Sequence, residues 1–137
     1  MKRLMIIILC LAASLQVACC SQSFSYPVIV DVTKIEVSKG AGSAAKEIAD
    51  SSQIDQTVRF IDERRSRWCS PRFGSLPEPE ATLTFHVNKG GRSVIGFGDG
   101  FFVADFSGGR YKMDISGEEA QEFLKVLGIS KEQVFGK

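Results

Sequence analysis

The sequence is poor in the residues from which reactive sites are usually built. Its 137 residues include one histidine (His86), one tryptophan (Trp68) and four cysteines. No Cys-x-x-Cys pair occurs, and with one histidine the chain offers no metal framework. Charge of one sign is not in excess: 17 Lys and Arg stand against 16 Asp and Glu. That balance argues against a nucleic-acid partner held by bulk charge. No internal repeat is evident. No apolar run reaches the ~20 residues that a membrane-spanning helix needs.

The longest apolar run, residues 4–15, is broken only by Ser14 and follows Lys2 and Arg3. A positive start, a short apolar stretch and then small residues is the pattern of a secretory signal peptide. The expectation is a signal peptide over residues 1–18, a tether over residues 19–27, and one small domain over residues 28–137. Removing residues 1–18 takes two basic and no acidic residues, which leaves the balance just on the acidic side. A domain of this size buries about two-thirds of its unfolded surface and can fold without staples.

The residues Leu15-Gln16-Val17-Ala18-Cys19-Cys20 resemble the lipobox of bacterial lipoproteins. In that family a small residue precedes a cysteine that becomes lipidated and N-terminal. The resemblance implies Cys19 as the lipid site, with Cys20 the second choice. Gln16 stands where the family prefers an aliphatic residue. Such a lipid holds a protein at a membrane without a spanning helix. The implied location is the bacterial cell envelope, facing the periplasm or the outside. Secretion as a soluble product is the alternative. An oxidising envelope would permit Cys20 to pair with Cys69.

The central stretch, residues 81–115, holds four short apolar-rich runs separated by turn chemistry. Leu83, Phe85 and Val87 alternate with Thr82, Thr84 and His86, which predicts a half-buried strand. Further strands are expected over residues 93–97, 101–106 and 110–115. The turns are expected at residues 88–91, at Asp99-Gly100 as a type I′ turn, and at Gly108-Gly109. Before this meander, β-branched residues 28–37 predict a strand with a bulge near Thr33-Lys34, where the alternation breaks. A short return strand is expected over residues 46–49. Ile54, Val58 and Ile61, continued by Arg65 and Trp68, predict an amphipathic helix over residues 53–67, capped from Ser51-Ser52. Residues 71–79 hold three prolines and Gly74 and read as an extended connection. After the meander, Ser116 with Glu119 forms a capping box, Ala120, Phe123, Leu124 and Leu127 share a face, and Gly128 sits where a left-handed cap is wanted. The expected fold is α+β: an antiparallel sheet with a four-stranded C-terminal meander, and one helix before it and one after it packed on the sheet.

Little in this pattern points to catalysis. The glycines at 96, 98 and 100 lie between strands, so they lack the helix start that a phosphate loop uses. They read as a tight hairpin and a bulge that lets Trp68 or a phenylalanine lie on bare backbone. His86 sits on the polar side of its strand with no serine or cysteine placed nearby to act with it. Arg59, Arg64, Arg65, Arg67 and Arg72 cluster around the end of the first helix, where cations suit the dipole and can also meet an acidic partner. Arg64, four after Phe60, is placed to cover that ring. Ser107-Gly108-Gly109-Arg110-Tyr111 is similar to the Ser-Gly-Ala-Arg-Tyr motif of membrane-bound lysozyme inhibitors. That resemblance implies Ser107 as the residue that helps occupy a lysozyme active site.

The expected function is a membrane-anchored envelope lipoprotein that works by binding a protein partner, with no enzyme activity, cofactor or metal. Inhibition of a cell-wall enzyme or toxin is one form of this and a structural or assembly role is another. The candidate contact residues are Arg64, Arg67, Trp68, Arg72, Asp99 and Ser107.

Overall fold

The alternation in the central stretch builds four consecutive strands: β5 (Ala81–Val87), β6 (Arg92–Gly98), β7 (Phe101–Phe106) and β8 (Gly109–Asp114). The computed structural model describes residues 20–40, 43–71 and 75–136. The signal-type segment, Cys19 and Arg72 lie outside the described residues. Four more strands complete the sheet: β1 (Cys20–Phe24), β2 (Val32–Lys39), β3 (Ser43–Ile48) and β4 (Trp68–Pro71). All neighbours are antiparallel, in the order β1-β4-β8-β7-β6-β5-β2-β3.

Among the described residues, three helices accompany the sheet: α1 (Ser51–Asp62), α2 (Gly117–Leu127) and a short α3 (Lys131–Phe135). The domain is thus α+β, with a helix on either side of the meander in sequence. Register places Ile35, Phe85, Leu83, Ile95, Phe97, Phe102 and Met113 on one sheet face, and all seven are essentially fully buried. Helix side chains land on that face. The Phe123 ring lies 4.9 Å from Phe102, 5.6 Å from Phe97 and 5.0 Å from Phe60. Each buried phenylalanine contributes about 1.5–3 kcal/mol by leaving water, so this aromatic stack is what fastens the helices.

Local signals set the element ends. In α2, Ser116 accepts from the Glu119 N–H at 3.1 Å, and Glu119 Oε2 accepts from the Ser116 N–H at 2.8 Å. Gly128, at φ 63°, ends the helix, and the Ile129 N–H reaches the Leu124 carbonyl at 3.1 Å. The bulge is found between Val32 and Lys34.

Several expectations are corrected. The N-cap of α1 is Asp50, which accepts from the Gln53 N–H at 2.8 Å, in place of Ser51 or Ser52. That helix ends at Asp62. A 3-10 turn (Arg65–Arg67) follows, and Trp68 is already extended in β4. The stripe through Arg65 and Trp68 therefore fails, because pairing with β1 and β8 pulls the chain out of helical geometry. Residues 20–24 form an edge strand on β4 where a tether was expected. The strand expected from residue 28 begins at Val32, and its return strand is Ser43–Ile48. At Asp99-Gly100 only Gly100 has positive φ, 92°, so the turn is not type I′. Two adjacent positive values occur instead at Ser107 (51°) and Gly108 (75°), the mark of a type I′ hairpin.

Candidate functional site

Two arginines of the basic cluster, Arg64 and Arg67, are engaged by the rest of the chain, while Arg59 and Arg65 stay exposed. Arg64 lies with its guanidinium carbon 3.8 Å from the centre of the Phe60 ring, as its spacing predicted. Its Nε donates to Glu119 Oε1 at 2.9 Å and its Nη1 to the Phe60 carbonyl at 2.9 Å. Arg67 donates to Glu119 Oε1 at 2.8 Å and to the Asp114 carbonyl at 2.7 Å. Arg67, the Ser116 N–H and Arg64 together hold the Glu119 carboxyl well below the usual carboxylate range. These arginines tie α1 to α2, which leaves them little to offer a partner.

Trp68 is withdrawn altogether. It is fully buried, 5.1 Å from the Tyr26 ring and 6.0 Å from Phe106, so it cannot be a surface contact. The bare backbone at Gly98 is covered by Phe101 instead, the phenylalanine alternative of that expectation. Asp99, at one end of β7, pairs with Lys131 of α3 at 2.7 Å. Ser107 stands exposed at the other end. The candidate contacts therefore do not converge. His86 Nε2 lies 3.1 Å from Glu36 Oε2, and Lys34 meets the same carboxylate at 2.8 Å, a network spread over the sheet face away from the helices.

What does converge is a different set of residues, between β6 and β7. The β6–β7 ladder comprises only Gly96↔Val103, Phe97↔Phe102 and Gly98↔Phe101. Both strands continue beyond it, β6 back to Arg92 and β7 on to Phe106, each still paired on its outer side. The sheet is therefore split along residues 92–95 and 104–106. Into this split opens a cleft of about 500 Å³.

The cleft has a fixed back. Residues 26–29 line it from behind, with Tyr26 and Ile29 buried. The Tyr26 N–H donates to the Arg65 carbonyl at 3.0 Å, and the Ile29 N–H donates to Asp62. Burial pushes the Asp62 carboxyl up in spite of that bond and of Arg65. Further along, the Asn88 N–H holds the Asp31 carbonyl at 2.9 Å. The rim carries Arg92, Asp105 and Arg110. Among the described residues, Val28 (49%), Val30 (60%) and Val94 (48%) are the large apolar side chains left exposed, and Val28 and Val94 line this cleft.

One sequence signal pointed here. Val94 is apolar although its register partner Thr84, and Glu36 beyond it, are polar. The stop in the ladder left no local mark.

Among the described residues there is no group of three His, Cys, Asp or Glu side chains able to hold a metal ion, and no helix long and apolar enough to cross a membrane. Comparison with known proteins returns no relative: no family model, no curated protein and no solved structure matches this chain.

Proposed function

We propose that this is a small lipid-anchored protein of the bacterial cell envelope that works by binding another polypeptide at the cleft between β6 and β7. The split in the sheet carries this reading. It combines a preformed hollow, exposed valines and charged rim residues in one place, which is the usual make-up of a recognition site.

One observation supports the envelope. Cys69 is disulfide-bonded, and such bonds persist in oxidising compartments. The other cysteines are Cys10, Cys19 and Cys20. If Cys10 leaves with the signal peptide and Cys19 takes the lipid, Cys20 is the thiol that remains for Cys69. β1 starts immediately after Cys19, so the acyl chains would set the β1–β4 edge of the sheet close against the membrane.

Photoreactive side chains introduced at Val94 or at Glu122 test this in native cells. Cross-links to a defined protein from Val94 but not from the exposed Glu122 are expected. Equal yields from both, or none, would remove the support for the cleft. Cys19→Ala should release the protein from the membrane fraction; unchanged partitioning would rule out the anchor.

A second reading is favoured by Ser107 alone. It occupies an exposed hairpin tip at φ 51°, where it could enter an enzyme cleft. In this reading the purified protein inhibits lysozyme and Ser107→Trp does not. Lack of inhibition by the unaltered protein disposes of it.

A further inference from the structure

We propose that the cleft is a strand-acceptor site: a short extended peptide bearing a carboxylate inserts between β6 and β7 and continues the interrupted ladder. This rests on the reading of the protein as a binding module and specifies what it binds.

The backbone supplies the main argument. Along an antiparallel strand, successive residues turn their N–H and C=O groups to alternate sides. The Phe97 carbonyl accepts from the Glu80 N–H at 3.1 Å, away from β7. Gly96, Val94 and Arg92 therefore turn theirs toward β7. Gly96 finds Val103, where the ladder ends. Val94 and Arg92 find no strand, and on β7 the same alternation leaves Asp105 facing the gap. Among the described residues, no backbone hydrogen bond joins residues 26–30 to either strand. Donors and acceptors spaced along two facing strand edges are a template for an extended chain and for little else.

Dimensions and charge narrow the occupant. Residues 92–95 offer roughly 13 Å of edge at about 3.3 Å per residue, enough for four residues. The buried Tyr26 and Ile29 stand behind the gap, so residues of the peptide that point inward must be small. Those that point outward lie beside Val94 and favour an apolar, β-branched side chain. Arg92 and Arg110 line the opening. Arg110 holds Asp105 at 3.3 Å with side-chain exposures of 54% and 76%, an ion pair weak enough to be exchanged for an incoming carboxylate. Because residues 26–31 are already fixed from behind, little ordering is needed at the moment of binding.

The test uses the full chain in detergent micelles and a fluorescent six-residue peptide of alternating serine and valine with a free C-terminal carboxylate. Anisotropy should report saturable binding. N-methylation of alternate backbone nitrogens should weaken it at least tenfold, and amidation of the C-terminus several-fold. Val94→Pro deletes an N–H that faces the gap and spares the β5–β6 ladder. It should weaken binding at least tenfold with the circular-dichroism melt nearly unchanged.

Equal binding of the N-methylated peptide overturns strand insertion and leaves the cleft as a binding site. Absence of peptide binding while Val94 still cross-links to a protein in cells overturns only this inference. Absence of both removes the binding-module reading as well. Self-association of the chain that Val94→Pro abolishes would make a second copy the occupant and overturn the peptide.

Discussion

Arg67 and Glu119 form a forked pair, Nη1 to Oε1 at 2.8 Å and Nη2 to Oε2 at 3.2 Å, between the turn that follows α1 and the first turn of α2. The same carboxylate accepts from Arg64 and from the Ser116 N–H. One side chain thus serves as ion-pair partner and helix cap. Both arginines lie more than fifty residues from it in sequence.

Glu119→Gln keeps the shape and one acceptor but leaves Arg64 and Arg67 without a counter-charge. Arg64 has a side-chain exposure of only 15%, so the loss is poorly screened. A cost of about 2 kcal/mol is expected, read from urea denaturation. The pH dependence has a definite sign. The folded carboxyl lies below its unfolded value, so its stabilisation is fully present above the ordinary glutamate pKa of about 4.3 and fades as pH falls below it. Unaltered protein should lose stability below about pH 4.5 more steeply than Glu119→Gln. Parallel acid profiles would remove Glu119 from this role.

Cys69 carries a disulfide and lies in the least secure part of the sheet. Among the described residues a single register pair, Cys69↔Lys112, joins β4 to β8, and β1 hangs on β4. Loss of a native disulfide from a small domain costs about 2–5 kcal/mol. Cys69→Ser, or reduction of the unaltered protein, should lower the melting temperature by several degrees. Amide exchange should rise first in β1 and β4 and last in β5. Uniform acceleration across the sheet would contradict this placement.

The parts of the fold that could be read from sequence are those specified within a few residues. Ser116 with Glu119, and Gly128 after Leu127, mark a helix by local hydrogen-bonding needs alone. The meander alternates because one face is buried, and the break at Thr33 shows as a change of parity. β1 and β4 are different: they are short, and their pairing joins residues about 45 positions apart. Nothing near Ser23 announces Cys69. The burial of Trp68 is hidden for a related reason. In a run of arginines it reads as a surface anchor, until β4 turns it among Tyr26 and Phe106. The cleft is harder still, since it depends on where the β6–β7 ladder stops.

Gly96 keeps the apex of the cleft closed. A Cβ there would stand 2.7 Å from Pro79 and 2.9 Å from Val103 Cγ2. Gly96→Ala should therefore destabilise by about 1–3 kcal/mol through overpacking, and Val103→Ala in the same chain should recover part of that. Gly117→Ala has the opposite sign. No atom lies within 4 Å of its added Cβ, and the residue is in the first turn of α2, so alanine should stabilise by up to about 1 kcal/mol. Thermal melts of the three variants decide it. A neutral Gly96→Ala would mean that Pro79 gives way freely.

The far end of α2 depends on side chains from elsewhere in the chain. Lys46, on β3, donates to the Leu127 carbonyl at 2.8 Å and the Gly128 carbonyl at 3.1 Å. Gln53, on α1, donates to the Val126 carbonyl at 2.9 Å. Three consecutive carbonyls at the negative end of the helix are thereby satisfied, one group of donors being a cation that the dipole favours. Lys46→Met preserves length and apolar packing but removes charge and donors, and should cost about 1 kcal/mol. Gln53→Leu should cost a similar amount. Because both cap one helix end, the double variant should deviate from additivity by at least about 0.5 kcal/mol. Exchange of the Ile129 amide, which closes the cap on Leu124, should accelerate in each variant. Additive losses with an unchanged Ile129 amide would show that the sheet and helix contribute separately, and that Lys46 acts on β3 alone.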